Sequence, residues 1–207
     1  MTQGQKIDEV LESVNLWMSD YISAPHPEIG RQGPICPFVA PSRKNRTMEL
    51  RIRFVGNSPT IELIEEIGRS SLKEFDLISW QGRNPMLRAM VIAMPDLAPE
   101  DTPLLDEAQV RIKSEFVENG LMVGQFHQNC TVPAARNEGF AVSKAPVPVL
   151  AIRKIALHDI FFLSERKEWF EKYREEFGHF YNPEQAEFDD RVRVKKYEET
   201  AAYYGAC

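Results

Sequence analysis

The order of short apolar segments and helical segments is the feature that most restricts how this chain folds. Residues 49–55 alternate apolar and charged side chains, which is typical of a strand buried on one face. Further stretches with the length and apolar character of strands cover residues 88–94, 121–126 and 148–154. Strands interleaved with helices predict an α+β two-layer sandwich, in which helices pack on a mixed or antiparallel four-stranded sheet.

Helical signals lie between these strands and at both ends of the chain. Near the N-terminus, apolar residues recur at steps of three and four, which predicts an amphipathic helix. Serine-proline and threonine-proline pairs mark two later helix starts, and the chain closes with two helices that form a C-terminal arm. The predicted helices cover residues 6–22, 59–75, 103–118 and 157–180, with a last helix that begins at Asn182-Pro183-Glu184-Gln185.

Length and composition fit one domain. The chain has 207 residues, of which 43% are hydrophobic, and this is enough apolar material for one core. We therefore treat residues 1–207 as a single domain. Its predicted parts are an N-terminal helix within 1–24, a sheet core over 25–156 and C-terminal helices over 157–207.

Charge and cysteine content narrow the class of function. The net charge is −6 and the basic residues are scattered, so no nucleic-acid partner is expected. The sequence begins without a signal-peptide pattern and has no apolar run of the ~18 residues that a membrane span needs. Three cysteines without a CxxC pair fit a reducing compartment. We expect a cytoplasmic protein without a membrane partner.

Two irregular segments, residues 23–47 and 127–147, hold most of the residues suited to chemistry. Standard nucleotide-binding, zinc-protease and serine-hydrolase fingerprints are absent from the sequence, which leaves these segments as the candidate site. We expect them to meet at one end of the sheet, around one polar pocket. The candidate residues are His26, Arg31 and Cys36 in the first segment, and Gln125, His127, Cys130, Arg136 and Asn137 in or beside the second.

Haem binding is the first interpretation of this pocket. In the Cys36-Pro37 dipeptide, proline stiffens the backbone beside a sulfur that is suited to axial iron ligation. His127 or His26 is the alternative axial ligand. Arginine binds carboxylates in a two-pronged geometry, so an arginine of either segment suits a haem propionate or an anionic substrate.

Direct metal binding and thiol catalysis are the competing interpretations. His26, Cys36, His127 and Cys130 supply nitrogen and sulfur donors of the kind that zinc or non-haem iron prefers. Alternatively, Cys36 or Cys130 is a nucleophile with a histidine as its base, as in an acyl-transfer or hydrolytic enzyme. Cys36 also fits a purely structural role as a small buried apolar residue.

The motifs resemble those of an uncharacterised bacterial family of about this length. The matching stretches are HPEIGRQGPICPFV, GLMVGQFHQNC, ARNEGF and PVPVLAIRKIALHDIFFL, within residues 20–165. The family pattern has proline where this chain has Gln128, histidine where it has Lys154 and serine where it has Ala145. The family is described only as a domain of unknown function, and the resemblance implies a place among natural-product biosynthesis genes. The cysteine-bearing loop is more distantly similar to haem-dependent N-oxygenase-like proteins, which ranks haem first among the cofactors.

The sequence therefore predicts haem-dependent oxidation of a small nitrogenous or carboxylate metabolite. A non-enzymatic binding or accessory protein of a biosynthetic cluster is the alternative, and a homodimer is compatible with either. The predicted catalytic residues are Arg31, His127, Arg136 and Asn137. The predicted cofactor ligands are Cys36, His127 and His26, and the predicted metal ligands are Cys36 and His127.

Overall fold

A computed structural model describes residues 3–181 and 190–205 of the chain, and its centre is a four-stranded mixed sheet. The strands are β1 (Met48–Ile52), β2 (Ala89–Ala93), β3 (Leu121–Phe126), β4 (Pro133–Ala134), β5 (Asn137–Ala141) and β6 (Val149–Lys154). The order across the main sheet is β1-β2-β6-β3, with β1 and β2 parallel and the other neighbours antiparallel. The predicted α+β class with a four-stranded mixed sheet is confirmed.

Two long helices cover one face of the sheet. Helices α3 (Ile61–Leu77) and α4 (Thr102–Glu118) pack together there, and Thr60 caps α3 by accepting a hydrogen bond from the Leu63 amide. Alternation along the strands turns large side chains such as Met90 and Ile152 toward these helices. This face is therefore filled by a continuous apolar core.

The N-terminal helix covers the opposite face. Helix α1 (Gln3–Trp17) continues into a wider π-helical turn over Met18–Ile22, which agrees with the helix predicted over 6–22. Trp17, Met18 and Ile22 pack toward this second face, together with the short helix α2 (Val39–Lys44). The sheet is therefore covered on both faces, which adds a helical layer to the predicted two-layer sandwich.

The two segments predicted to be irregular contain regular elements. Helix α2 lies within residues 23–47, and β4 and β5 form a two-stranded hairpin within residues 127–147. The strand predicted over 49–55 ends at Ile52, because the Val55 and Gly56 amides donate to the Asp96 carboxylate instead of a neighbouring strand.

The helix predicted over 157–180 is broken. A short 3₁₀ turn leads into α5 (Ile160–Leu163), and α6 (Lys167–Phe177) begins after Arg166, whose backbone is extended. Periodicity misses this break because Ile160–Leu163 are four consecutive apolar residues, and such a run has no helical phase that could differ from that of α6.

The final helix α7 (Arg191–Tyr203) packs against α5 and the aromatic side of α6. Asp190 caps it by accepting from the Arg193 amide, and the Tyr181 and Tyr197 rings stack 3.8 Å apart. The predicted capping pattern at residues 182–185 lies outside the described residues, as does Cys207. No helix in the described ranges is long and apolar enough to cross a membrane.

A buried ion pair ties the C-terminal helices to the sheet. Both terminal nitrogens of Arg153 on β6 donate to the fully buried Asp159 carboxylate at 2.6 Å, and the Ala156 amide donates to it at 2.8 Å. Burial on its own would lower the pKa of Arg153, but the charge and hydrogen bonds of Asp159 outweigh that effect and raise it. The pair therefore fixes the turn from which α5 starts.

We expect Asp159→Ala to lower the free energy of unfolding by about 3–5 kcal/mol, because it leaves a guanidinium without its carboxylate in a buried site. Glu107→Ala, which removes the partly exposed partner of Arg111, is the control and should cost less than about 1 kcal/mol. Urea unfolding of both variants measures the two values. Equal losses of stability in the two variants would contradict the conclusion that the buried pair fixes this turn.

Candidate functional site

A cavity of about 480 Å³ lies on the face of the sheet that α1 covers. Three small residues on neighbouring strands, Ala89, Gly124 and Ala151, line it. Gly124 and Ala151 are direct partners across β3 and β6, so the backbone forms much of the cavity floor. The walls and roof come from the end of α1, the following loop and α2, through Trp17, Met18, Ile22, Cys36, Phe38 and Val39.

Space, and not backbone conformation, explains the glycine in this floor. A Cβ atom added at Gly124 would meet only a ring carbon of Phe126, at 3.6 Å, which is an ordinary van der Waals contact. The backbone therefore tolerates a side chain at this position. What Gly124 contributes is room above the strand.

The cavity runs past the edge strand β3 to a charged end. Lys113 of α4 lies 4.1 Å from the centroid of the Trp169 ring, and the Arg166 guanidinium lies 4.7 Å from the same ring. Lys113 also donates to the Phe162 carbonyl at 3.0 Å, and burial lowers its pKa. Within the described ranges neither cation forms an ion pair, and Glu165 is the acidic residue that lines the same end. This end therefore has an excess of positive charge.

The structure brings parts of the two irregular segments together. The His26 ring stacks on Phe140 of β5 at 4.3 Å, and its Nδ1 accepts from the Glu28 amide. Asn137 donates to the Glu28 carbonyl at 2.7 Å. Gly30, at a φ of 77°, lies so near the Arg136 carbonyl that a Cβ atom would clash at 2.6 Å. These contacts hold the first segment onto the hairpin.

The predicted arginines also hold the backbone in place. Arg31 donates to the carbonyls of Gln32 and Ile35 at 2.9 Å, and its pKa is lowered by burial and by the charge of Arg136. Arg136 in turn pairs with Asp190, the residue that caps α7. Both guanidiniums thus have protein partners, and their predicted roles toward a substrate stay predictions.

Cys36 lines the cavity and lies beside positive charge. It is partly exposed, and both Arg31 and Arg153 are near enough to interact with it electrostatically. Its amide donates to the Ile22 carbonyl at 2.9 Å, which fixes it at the end of α1. Of the predicted cofactor ligands, Cys36 lines this cavity and His26 and His127 do not.

His127 and Cys130 belong to a second cluster, beside α4. The buried His127 ring places Nε2 3.1 Å from an Asp106 carboxylate oxygen, and Gln125 donates to that same oxygen at 2.9 Å. The Cys130 amide donates to the His127 carbonyl at 3.1 Å. Donor atoms of Asp106, His127 and Cys130 lie within 4.8 Å of one another, and Cys36 and His26 are not part of this group. The structure thus separates Cys36 from His127.

Sequence reasoning missed Asp106, because a carboxylate near a helix start usually serves the helix itself. The chain does contain a signal for it. Asp106 lies 12 residues before Glu118 at the end of α4, a rise of about 18 Å, and His127 lies 6 residues beyond Leu121 at the start of β3, about 20 Å. A reversal at Gly120 therefore returns His127 to the level of Asp106.

His158 lies where the cavity wall meets the C-terminal helices. Its ring stacks on Phe38 at a centroid distance of 5.2 Å. Burial lowers the pKa of His158, and the charges of Arg153, Arg31 and Arg193 lower it further against the opposing effect of Asp159. The folded protein therefore binds a proton at this residue less readily than the unfolded chain does.

The free energy of unfolding should consequently fall as the pH falls below about 6.5, where the unfolded chain takes up a proton and folded His158 does not. The free energy of unfolding falls by at most about 1.4 kcal/mol per pH unit, and it stops falling below the pKa that His158 has in the folded protein. His158→Gln should flatten this part of the profile, whereas the exposed His179→Gln should keep it. Melting temperatures between pH 8 and 5 measure the effect, and parallel profiles for all three proteins would contradict it.

The sequence matches the model of a known protein family. A family model described as a domain of unknown function, DUF6875, matches residues 11–188, a range that includes both predicted site segments and the cavity residues named above. No curated protein matches the chain. No solved structure matches it either. Because the family model covers most of the sequence, the chain belongs to the DUF6875 family, and the prediction that it is a member of an uncharacterised domain family is confirmed.

Proposed function

We propose that this protein binds a small, largely apolar molecule that carries an anionic group. The observation that carries the proposal is the cavity of about 480 Å³ between the sheet and α1. Ligand cavities in proteins have volumes of about 300–1,000 Å³ and mostly apolar walls with a few polar groups that orient the ligand. The cavity has a suitable volume, and aromatic and aliphatic residues form most of its lining.

The distribution of charge supports an anionic ligand group. Lys113 and Arg166 lie at one end of the cavity, and both contact the Trp169 ring. Burial removes part of the hydration of the Lys113 ammonium group and thereby lowers its pKa, and an anion in the cavity would replace the lost water. The rest of the cavity would hold the apolar part of the ligand. We therefore expect the ligand to bind with its anionic group beside α4 and its apolar part above Gly124 and Ala151.

A cavity-filling variant tests this proposal with anilinonaphthalene sulfonate, an apolar fluorescent probe with one anionic group. We expect the folded protein to bind one probe molecule, and Ala151→Leu to weaken binding at least about tenfold because the new side chain occupies the floor. Ala202→Leu, at an exposed position on α7, makes the same change outside the cavity and should leave the affinity unchanged. Equal affinity of the two variants, both shown to be folded by circular dichroism, would contradict the cavity as the binding site.

Haem-dependent oxidation is a second candidate function, and one observation favours it. The Cys36 thiol lines the cavity beside Arg31 and Arg153, and a cysteine sulfur is one of the axial ligands that haem iron takes in proteins. Bound haem would supply oxidation chemistry for a small nitrogenous or carboxylate metabolite, as in the biosynthetic setting that the family resemblance implies. Lys113 and Arg166 would then bind propionates. The cavity supports Cys36, and not His127 or His26, as the iron ligand.

Absorption spectra of protein from a haem-supplemented culture test this candidate. We expect a Soret band at one haem per chain, with the position of a thiolate-ligated haem, and we expect Cys36→Ser to shift or abolish it. Cys130→Ser removes a thiol outside the cavity lining and should leave the spectrum unchanged. Colourless protein that also fails to bind added haemin would contradict haem but would leave the binding of another apolar anion intact.

A further inference from the structure

We infer that Asp106, His127 and Cys130 form a binding site for a divalent transition metal, of which zinc is the best match. The carboxylate, imidazole and thiol each present a donor atom within 4.8 Å of the other two. Bonds of about 2.3 Å to sulfur and 2.0 Å to nitrogen place donors of tetrahedral zinc roughly 3.5 Å apart. The cluster therefore needs a contraction of at most about 1.3 Å at its widest side. This inference does not rest on the proposed ligand of the cavity.

The His127 imidazole has a lone pair available for a metal. When its Nε2–H donates to Asp106, the other nitrogen, Nδ1, is buried and has no hydrogen-bond partner among the described residues. When the proton is on Nδ1 instead, the lone pair of Nε2 lies 3.1 Å from the Asp106 oxygen, which is the separation of two ligands on one ion. A buried nitrogen without a partner costs about 1–3 kcal/mol, so in the first of these two tautomers a metal on Nδ1 would remove that cost.

Charge balance also favours a divalent ion. His127 and Cys130 are each about 1% exposed, so a dissolved molecule does not reach either side chain. A buried neutral thiol is a poor nucleophile for a dissolved substrate, which argues against Cys130 as a catalytic thiol. On metal binding the S–H bond breaks, the proton passes to solvent and a sulfur–metal bond forms. One thiolate, one carboxylate and a neutral imidazole then offset a charge of two, so the loaded site is neutral.

The donor set selects the class of metal. Sulfur and nitrogen donors suit zinc and related transition metals, whereas magnesium and calcium prefer oxygen alone. Three protein ligands leave a fourth position for water, as in catalytic zinc sites. The Asp106 side chain is 42% exposed, which gives an ion a path from solvent. Gln125 donates to Asp106 and also lines the cavity, so it is a positioning residue that connects the two sites.

Titration of the full, metal-free chain with cobalt tests the site, because tetrahedral cobalt bound by a thiolate has a charge-transfer absorption that identifies sulfur ligation. We expect one cobalt per chain, displacement by one zinc, and release of about one proton per ion from Cys130. Cys130→Ser should abolish the charge-transfer band. Cys36→Ser is the matched control, since it removes a cysteine outside the cluster, and it should keep the band.

Asp106→Asn provides a second measurement that does not disturb a buried thiol. It should weaken cobalt binding at least about tenfold, while circular dichroism and binding of anilinonaphthalene sulfonate stay at wild-type levels. Absence of a stoichiometric cobalt complex in the wild type would overturn the inference. A band that persists in Cys130→Ser, or an unchanged affinity in Asp106→Asn, would overturn it as well. Because the fluorescent probe reports on the cavity separately, failure of the metal site and failure of the proposed ligand are distinguishable.

Discussion

Strand alternation places Ala89, Gly124 and Ala151 on one face of the sheet, and these side chains are too small to fill the space beneath Trp17 and Met18. The opposite face has large side chains and two packed helices, so it supplies the continuous core. Because one face provides the packing, the other can hold an open volume. The cavity, its apolar walls and its charged end beyond β3 all follow from this difference between the faces.

The structure holds two separate groups of reactive side chains, one in the cavity lining and one outside it. Cys36 lies at the end of α1 with arginine charge beside it, whereas His127 and Cys130 lie near α4 with Asp106. One thiol is accessible from the cavity and the other is about 1% exposed. The two cysteines therefore suit different chemistry. The accessible Cys36 thiol can contact a molecule bound in the cavity, whereas the buried Cys130 thiol suits a metal ion that compensates the charge of its thiolate.

The C-terminal helices take part in both the packing and the cavity. Arg153 and Asp159 join β6 to the turn before α5, and the break between α5 and α6 places Arg166 against Trp169. Periodicity predicted one helix here because the apolar run Ile160–Leu163 has no helical phase that would reveal the break. Likewise, the strand predicted to reach residue 55 is shorter, because Asp96 binds the amides that would have continued it. In both places contacts from other parts of the chain override a local pattern.

The sequence by itself determined the strands of the main sheet to within a few residues, the helices between them and the α+β class, because periodicity and capping are local properties. It also identified the two segments that carry the cavity thiol and the buried histidine. Only the tertiary structure decided that Cys36 and His127 lie in different groups and that Asp106 joins the latter. Such pairings connect residues that are far apart in the chain, and their energies depend on burial and distance, which no short stretch of sequence encodes.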